Sequence, residues 1–218
     1  MKSTLIILIT FFYSIAFSQT NPYLQIARIK YNGGGDWYND PSAEVNLLKF
    51  ISKNTNIKTN PVYTAVDLET NEIFNYPISF ITGHGNILFT NKNISILKKY
   101  LENGGFLYVD DDYGLDKSFR REIKKVFPNK NLIELPFNHD IYNIVYKFEN
   151  GPPKIHEHDN KPPRGYGLFL NERMVIFYTV ESNPSDGWAN QDVHNDLEEK
   201  RLEALKFGTN IISYILSN

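Results

Sequence analysis

The run Phe106-Leu107-Tyr108-Val109 is apolar throughout and shows none of the in-out alternation of a half-wet strand. Such a strand needs cover on both faces, and the common solution is an internal position in a mostly parallel sheet with helices above and below. Gly104-Gly105 precede it and Asp110-Asp111-Asp112 follow it, so a helix-ending turn leads through a dry strand into three carboxylates. Like charges this close raise one another's pKa values. Either a cation or donors such as Arg120 and Arg121 offset them, or two of the three face water.

The rest of the chain repeats the order strand, loop, helix. Leu24 to Lys30 reads as a strand, followed by a glycine loop and by a helix that Asp40 caps and Pro41 begins, with Val45, Leu48 and Ile51 as its apolar stripe. Asn60 to Leu68 holds a second extended run, and Pro77 to Thr82 is a strand ending in Gly83-His84-Gly85. A helix over Asn91 to Asn103 stops at Gly104, and another starts at Ser118 and stops at Pro128. Leu132 to Leu135 is a further strand. Four prolines in Gly151 to Arg164 make that segment a long loop or small lid. Gly167 to Leu170 and Met174 to Val180 form a hairpin, and a closing helix with the capping pattern Asn195-x-x-Glu198 runs to Leu216. The expected fold is α/β, with a mostly parallel sheet between helices and any ligand in the crevice beyond the strands' carboxyl ends.

Residues 1–18 have one lysine, a long apolar run and an Ala16-x-Ser18 ending, the pattern of a secretory signal peptide. The expectation is an exported protein, periplasmic or secreted, with a single domain over 19–218 and no membrane insertion after cleavage. With no cysteine, packing rather than disulfides must hold it together. Lys and Arg number 23 against 25 Asp and Glu, which argues against nucleic acid as a partner.

Three turns carry residues suited to chemistry. Gly33-Gly34-Gly35 offers backbone N–H groups, lacks the Gly-Lys-Ser/Thr ending of a nucleotide loop, and presents Asp36 and Trp37 as ligand-binding candidates; a plain tight turn fits equally. His84, between two glycines, suits a general base, a metal ligand or a hydrogen-bonded loop histidine. At the third turn Asp110 is a candidate for acid–base work and metal ligation and Asp111 for ligand binding, beside the aromatic Tyr113; a strand-end aspartate capping the next turn fits equally. The sharpest local composition is Lys154-Ile155-His156-Glu157-His158-Asp159. In an extended segment His156 and His158 face one side and, with Asp110, can hold a divalent metal ion while Glu157 or His84 takes a proton from bound water. A polar loop tied down by its own imidazoles is the competing description. Asp186-Gly187-Trp188, near His194, supplies Trp188 as a further ligand-binding candidate or simply a turn anchored by an indole.

The runs Ile29 to Pro41, Phe80 to Gly85, Tyr100 to Ile123, Pro152 to Asp159 and Asp186 to Asp196 resemble the bacterial family catalogued as domain of unknown function 4159, over nearly the whole mature chain. That resemblance carries no activity. More distantly the chain resembles the class I glutamine amidotransferase-like superfamily, which implies a three-layer flavodoxin-like fold. Its nucleophilic cysteine falls at a turn where this chain has Asp110 and Asp111, so glutaminase chemistry through a cysteine is impossible. Two functions follow as expectations. The first is a non-catalytic envelope domain that binds a small polar molecule, a glycan or an envelope protein. The second is an exported metal-dependent hydrolase of a small polar or saccharide substrate.

Overall fold

Side chains alternate across a strand, so a strand covered on both faces must send successive residues into two different cores. The computed structural model, which describes residues 23–218, has that arrangement. In β4 (Phe106–Asp110), Leu107 and Val109 enter one apolar cluster while Phe106 and Tyr108 enter the other. The first cluster lies under α2 (Asn91–Glu102) and α3 (Asp116–Val126), through Leu97, Leu101, Phe119 and Ile123. The second lies under α1 (Ala43–Asn54) and α6 (Glu198–Ser217), through Leu47, Ile51, Phe207 and Ile211. The sheet is the middle of three layers.

Besides β4 the sheet contains β1 (Ile26–Lys30), β2 (Ala65–Asp67), β3 (Ile78–Ile81), β5 (Ile133–Glu134), β6 (Arg164–Leu170) and β7 (Arg173–Val180), in the order β2-β1-β3-β4-β7-β6-β5. From β2 to β7 all neighbours are parallel, and β6 and β5 are added antiparallel at one edge. The β6–β7 hairpin turns through Asn171 and Glu172, whose φ angles of 47° and 71° match the twist of the strands they join. Two short helices, α4 (Pro184–Trp188) and α5 (Gln191–His194), lie between β7 and α6. No helix among the described residues is long and apolar enough to cross a membrane. The signal peptide expected at residues 1–18 lies outside the described residues.

Several helix starts differ from expectation, two of them because the polar side chain has a tertiary partner. Helix α1 begins at Ala43 with Ser42 before it and no side-chain cap, because the Asp40 carboxylate reaches His194. Helix α3 begins at Asp116, two residues ahead of Ser118. The Ser118 hydroxyl donates to Leu115 O and accepts the Ile87 N–H. Asn195 does not cap α6; it ends α5 in the left-handed region, at φ 57°. Asp186-Gly187-Trp188, read from sequence as a polar loop or turn, lies in α4, and α4 and α5 are two helical turns that fold back onto the sheet's carboxyl edge.

Candidate metal centre

The loop after β1 is fixed from below by a buried ion pair. Arg28 on β1 is fully buried, with Nε 2.6 Å and Nη2 2.7 Å from the two carboxylate oxygens of Glu44 on α1. Its Nη1 donates to the carbonyls of Trp37 and Asn39, both at 2.9 Å. The guanidinium thus holds the loop that carries Asp36 and Asp40. Gly33 and Gly35 lie against the segment after β3, where Gly35 N–H donates to Asn86 O at 3.1 Å. Gly34 sits at the exposed tip, with nothing within 4 Å of where a Cβ would stand.

After β3 the chain turns at Gly83, whose φ of +126° is open to glycine alone. Asp36 then takes hold of His84 twice, accepting its backbone N–H on Oδ1 and lying 3.1 Å from ring Nδ1 through Oδ2. Asp112 Oδ2 is 3.3 Å from the same nitrogen. A Cβ on residue 83 would stand 2.6 Å from the Tyr31 hydroxyl and 2.7 Å from Asp36 Oδ1. Gly83→Ala is expected to cost about 2 kcal/mol in backbone strain and contact, and to lower the midpoint of thermal unfolding by about 5 °C. A melt unchanged from wild type contradicts this geometry.

The three aspartates after β4 divide their tasks. Asp110 is fully buried; Thr179 Oγ1 donates to it at 2.6 Å, and Ser185 donates through N at 2.9 Å and Oγ at 2.7 Å. Burial nevertheless pushes it up to about 7. Asp111 accepts the Leu115 N–H at 2.7 Å ahead of α3, and burial pushes it up to about 6. Asp112 alone turns toward other acids. Asn39 Nδ2 donates to its Oδ2 at 2.6 Å and Asn183 Nδ2 to its Oδ1 at 2.9 Å, yet burial, then Asp186, Asp110, Asp40 and Asp36, hold it well above the ordinary carboxylate range. Arg120 and Arg121 offset none of the three, since they pair with Asp116 and Glu122.

The ligand set differs from the His156, His158 and Asp110 set expected from sequence. Around His156 the chain is irregular, so spacing by two does not aim both rings one way. His158 Nε2 meets Asn183 Nδ2 at 2.8 Å, and its ring stacks on Tyr113 with centroids 4.7 Å apart. His156 instead points Nδ1 at Asp186 Oδ2, 2.6 Å away, with Nε2 3.1 Å from Asp196 Oδ1. His194 Nε2 lies 2.9 Å from Asp40 Oδ2 and 3.9 Å from Asp186 Oδ1. The ligand atoms of His156, Asp186 and His194 all lie within 4.8 Å of one another, as do those of Asp40, Asp112 and Asp186. Both groups are geometrically able to hold a metal ion.

The electrostatics favour positive charge here. Among the described residues no Lys or Arg forms a salt bridge with Asp36, Asp40, Asp112, Asp186 or Asp196; histidines are their ionic partners. The hydrogen bond to Asp186 raises the pKa of His156 against its burial, and that to Asp40 does the same for His194. Burial works to raise Asp186, but the His156 hydrogen bond and the charges of both histidines outweigh it and hold the group low. A cation placed among these atoms replaces the protons that now neutralise them. Asp196 lies behind His156, 3.1 Å from its Nε2, where an outer carboxylate fixes the orientation of an imidazole.

The other expected site residues are spread around this cluster. Glu157 is exposed and pairs with Lys154 at 3.1 Å, which removes it as a base for the buried groups. Trp188 is 1% exposed, its Nε1 donating to Ala204 O at 2.8 Å among Phe80 and Tyr108, so it offers a ligand no face. Trp37 is half-buried under the Lys30 ammonium. Tyr113 is half exposed at the rim. Asp40, Asp112, Asp186, His194 and Asp196 were not among the sequence candidates, although all belong to motifs of the family resemblance.

A family model described as "Domain of unknown function (DUF4159)" matches residues 25–216. No curated protein matches the chain.

Proposed function

The chain belongs to the DUF4159 family, and we propose that it is a metal-dependent hydrolase acting on a small polar or saccharide substrate outside the cytoplasm. The observation that carries this reading is the convergence of His156, Asp186 and His194 within 4.8 Å at the carboxyl edge of the sheet. Two imidazoles with carboxylates suit zinc, manganese or iron better than calcium or magnesium. Counted alone, the five parallel strands run 2-1-3-4-5, which supports a flavodoxin-like, amidotransferase-like scaffold with its ligand at the carboxyl ends.

A divalent cation in this cluster would lower the pKa of a water and polarise a substrate oxygen. Asp196 holds His156 by Nε2, which leaves Nδ1 to face the cluster. His84 is held at Nδ1 by Asp36 and Asp112, leaving Nε2 for proton transfer to a leaving group, from a ring that is half exposed at the rim. The signal-peptide pattern of residues 1–18 supports an exported location.

Asp196→Asn is expected to weaken Zn²⁺ or Mn²⁺ binding about 10–100-fold, and His156→Ala to abolish cation-dependent hydrolysis across a panel of glycosides and esters. Chelated wild type that hydrolyses as fast as the metal-loaded protein contradicts the reading. The exposed rings of Tyr38 and Tyr113 favour a second one, a non-catalytic glycan-binding or protein-binding domain. Saturable ligand binding without turnover, unaffected by His84→Ala, selects it.

A further inference from the structure

We propose that the cluster holds two divalent cations, with the Asp186 carboxylate bridging them. One position is set by His156, Asp186 and His194, the other by Asp40, Asp112 and Asp186. This rests on the metal reading above and adds a stoichiometry, a bridging residue and a second set of ligands.

The two groups share Asp186 and no other residue. Its two oxygens have different surroundings. Oδ2 lies against His156 Nδ1 at 2.6 Å and accepts from Asn183 Nδ2 at 3.3 Å. Oδ1 is buried without a hydrogen-bond partner among the described residues, 3.9 Å from His194 Nε2. The side chain is 2% exposed. A buried carboxylate oxygen left without a donor is costly, and a cation satisfies it.

Charge leads to the same conclusion. Asp36, Asp40, Asp112, Asp186 and Asp196 crowd a space in which their ionic partners are imidazoles. One divalent ion on the histidine side leaves Asp40 and Asp112 repelling each other across the remaining gap. A second ion between them removes that repulsion, as in two-metal sites where carboxylates bridge ions about 3.5–4 Å apart. Asn183 is the positioning residue that spans the two groups. Fully buried and in the left-handed region at φ 52°, it donates through one amide nitrogen to Asp112 and Asp186 alike.

The test is Mn²⁺ loading of the purified, chelator-stripped protein, read by elemental analysis and by electron paramagnetic resonance. Two Mn²⁺ per chain with a spin-coupled spectrum are expected. Asp112→Asn, a near-isosteric change that relieves like-charge crowding, is expected to halve the stoichiometry and give the six-line signal of an isolated ion, with the circular dichroism of the wild type. One uncoupled ion in the wild type overturns the bridged pair and leaves the single-metal reading standing. No bound ion overturns both. Two uncoupled ions, or an Asp112→Asn protein that still takes up a coupled pair, overturn the assignment of Asp186 and Asp112.

Discussion

Stripped of divalent cations, the protein is expected to lose stability steadily as pH rises from about 5 to about 8, and saturating Zn²⁺ or Mn²⁺ is expected to remove the part of that slope that comes from the cluster. Asp110 and Asp111 are the first cause. Burial raises them to about 7 and about 6, so the folded chain keeps protons that the unfolded chain gives up near its ordinary carboxylate pKa of 3.8. Wherever the folded state binds more protons, stability falls with rising pH. His156 and His194 act in the same direction, since their raised pKa values give a contribution that is full below the unfolded value of 6.5 and lost as pH rises through the folded one. Asp186, held low, acts oppositely, but its contribution is present above its unfolded value of 3.8 and is lost only below it. Asp110 alone amounts to on the order of 2–4 kcal/mol, a fall of about 5–10 °C in the melting midpoint. A cation at the cluster takes the place of the protons on the histidines and Asp112, so in its presence only the Asp110 and Asp111 part of the slope remains. A chelated protein equally stable across this range contradicts the burial and pairing described here.

Removing the Arg28 guanidinium is expected to have the largest effect of any single substitution. Arg28→Met leaves the Glu44 carboxylate, itself 1% exposed, without its ionic partner. Breaking a buried pair in this way costs about 3–5 kcal/mol, which lowers the melting midpoint by about 10 °C or more. Replacing both partners, Arg28→Met with Glu44→Leu, is expected to recover much of that stability, because no buried charge is left over. It is not expected to recover cation binding, since the carbonyls of Trp37 and Asn39 lose the donor that seats the loop bearing Asp36 and Asp40. Thermal denaturation by circular dichroism and a Zn²⁺ titration separate the two effects. A double variant with wild-type affinity shows that the loop does not need Arg28.

Much of the scaffold was legible because it depends on local patterns. The dry run Phe106 to Val109 required cover on two faces, and it has it. The strand-end turns at Asp36, His84 and Asp112 were expected to share a rim, and His84 Nδ1 joins them, hydrogen-bonded to Asp36 and 3.3 Å from Asp112 Oδ2. The ligand set was not legible, and the reasons are physical. Asp40 looked like a helix cap, and nothing local reveals that its carboxylate is drawn 154 residues away to His194. Spacing by two pairs His156 with His158 only in an extended segment, whereas the prolines and bends here send the two rings to different partners. Asp186 and His194 sit on helical turns too short to leave a periodic signal. Asp112, placed third in its run, is the one whose backbone neighbours make no demand on it; Asp110 and Asp111 are occupied with Ser185 and Leu115.

Anomalous diffraction from crystals soaked in Zn²⁺ decides whether Asp186, His156 and His194 are cation ligands. A zinc-edge difference peak is expected within bonding distance of an Asp186 oxygen, His156 Nδ1 and His194 Nε2. A map with its strongest peak on surface carboxylates, and none among these three side chains, contradicts it.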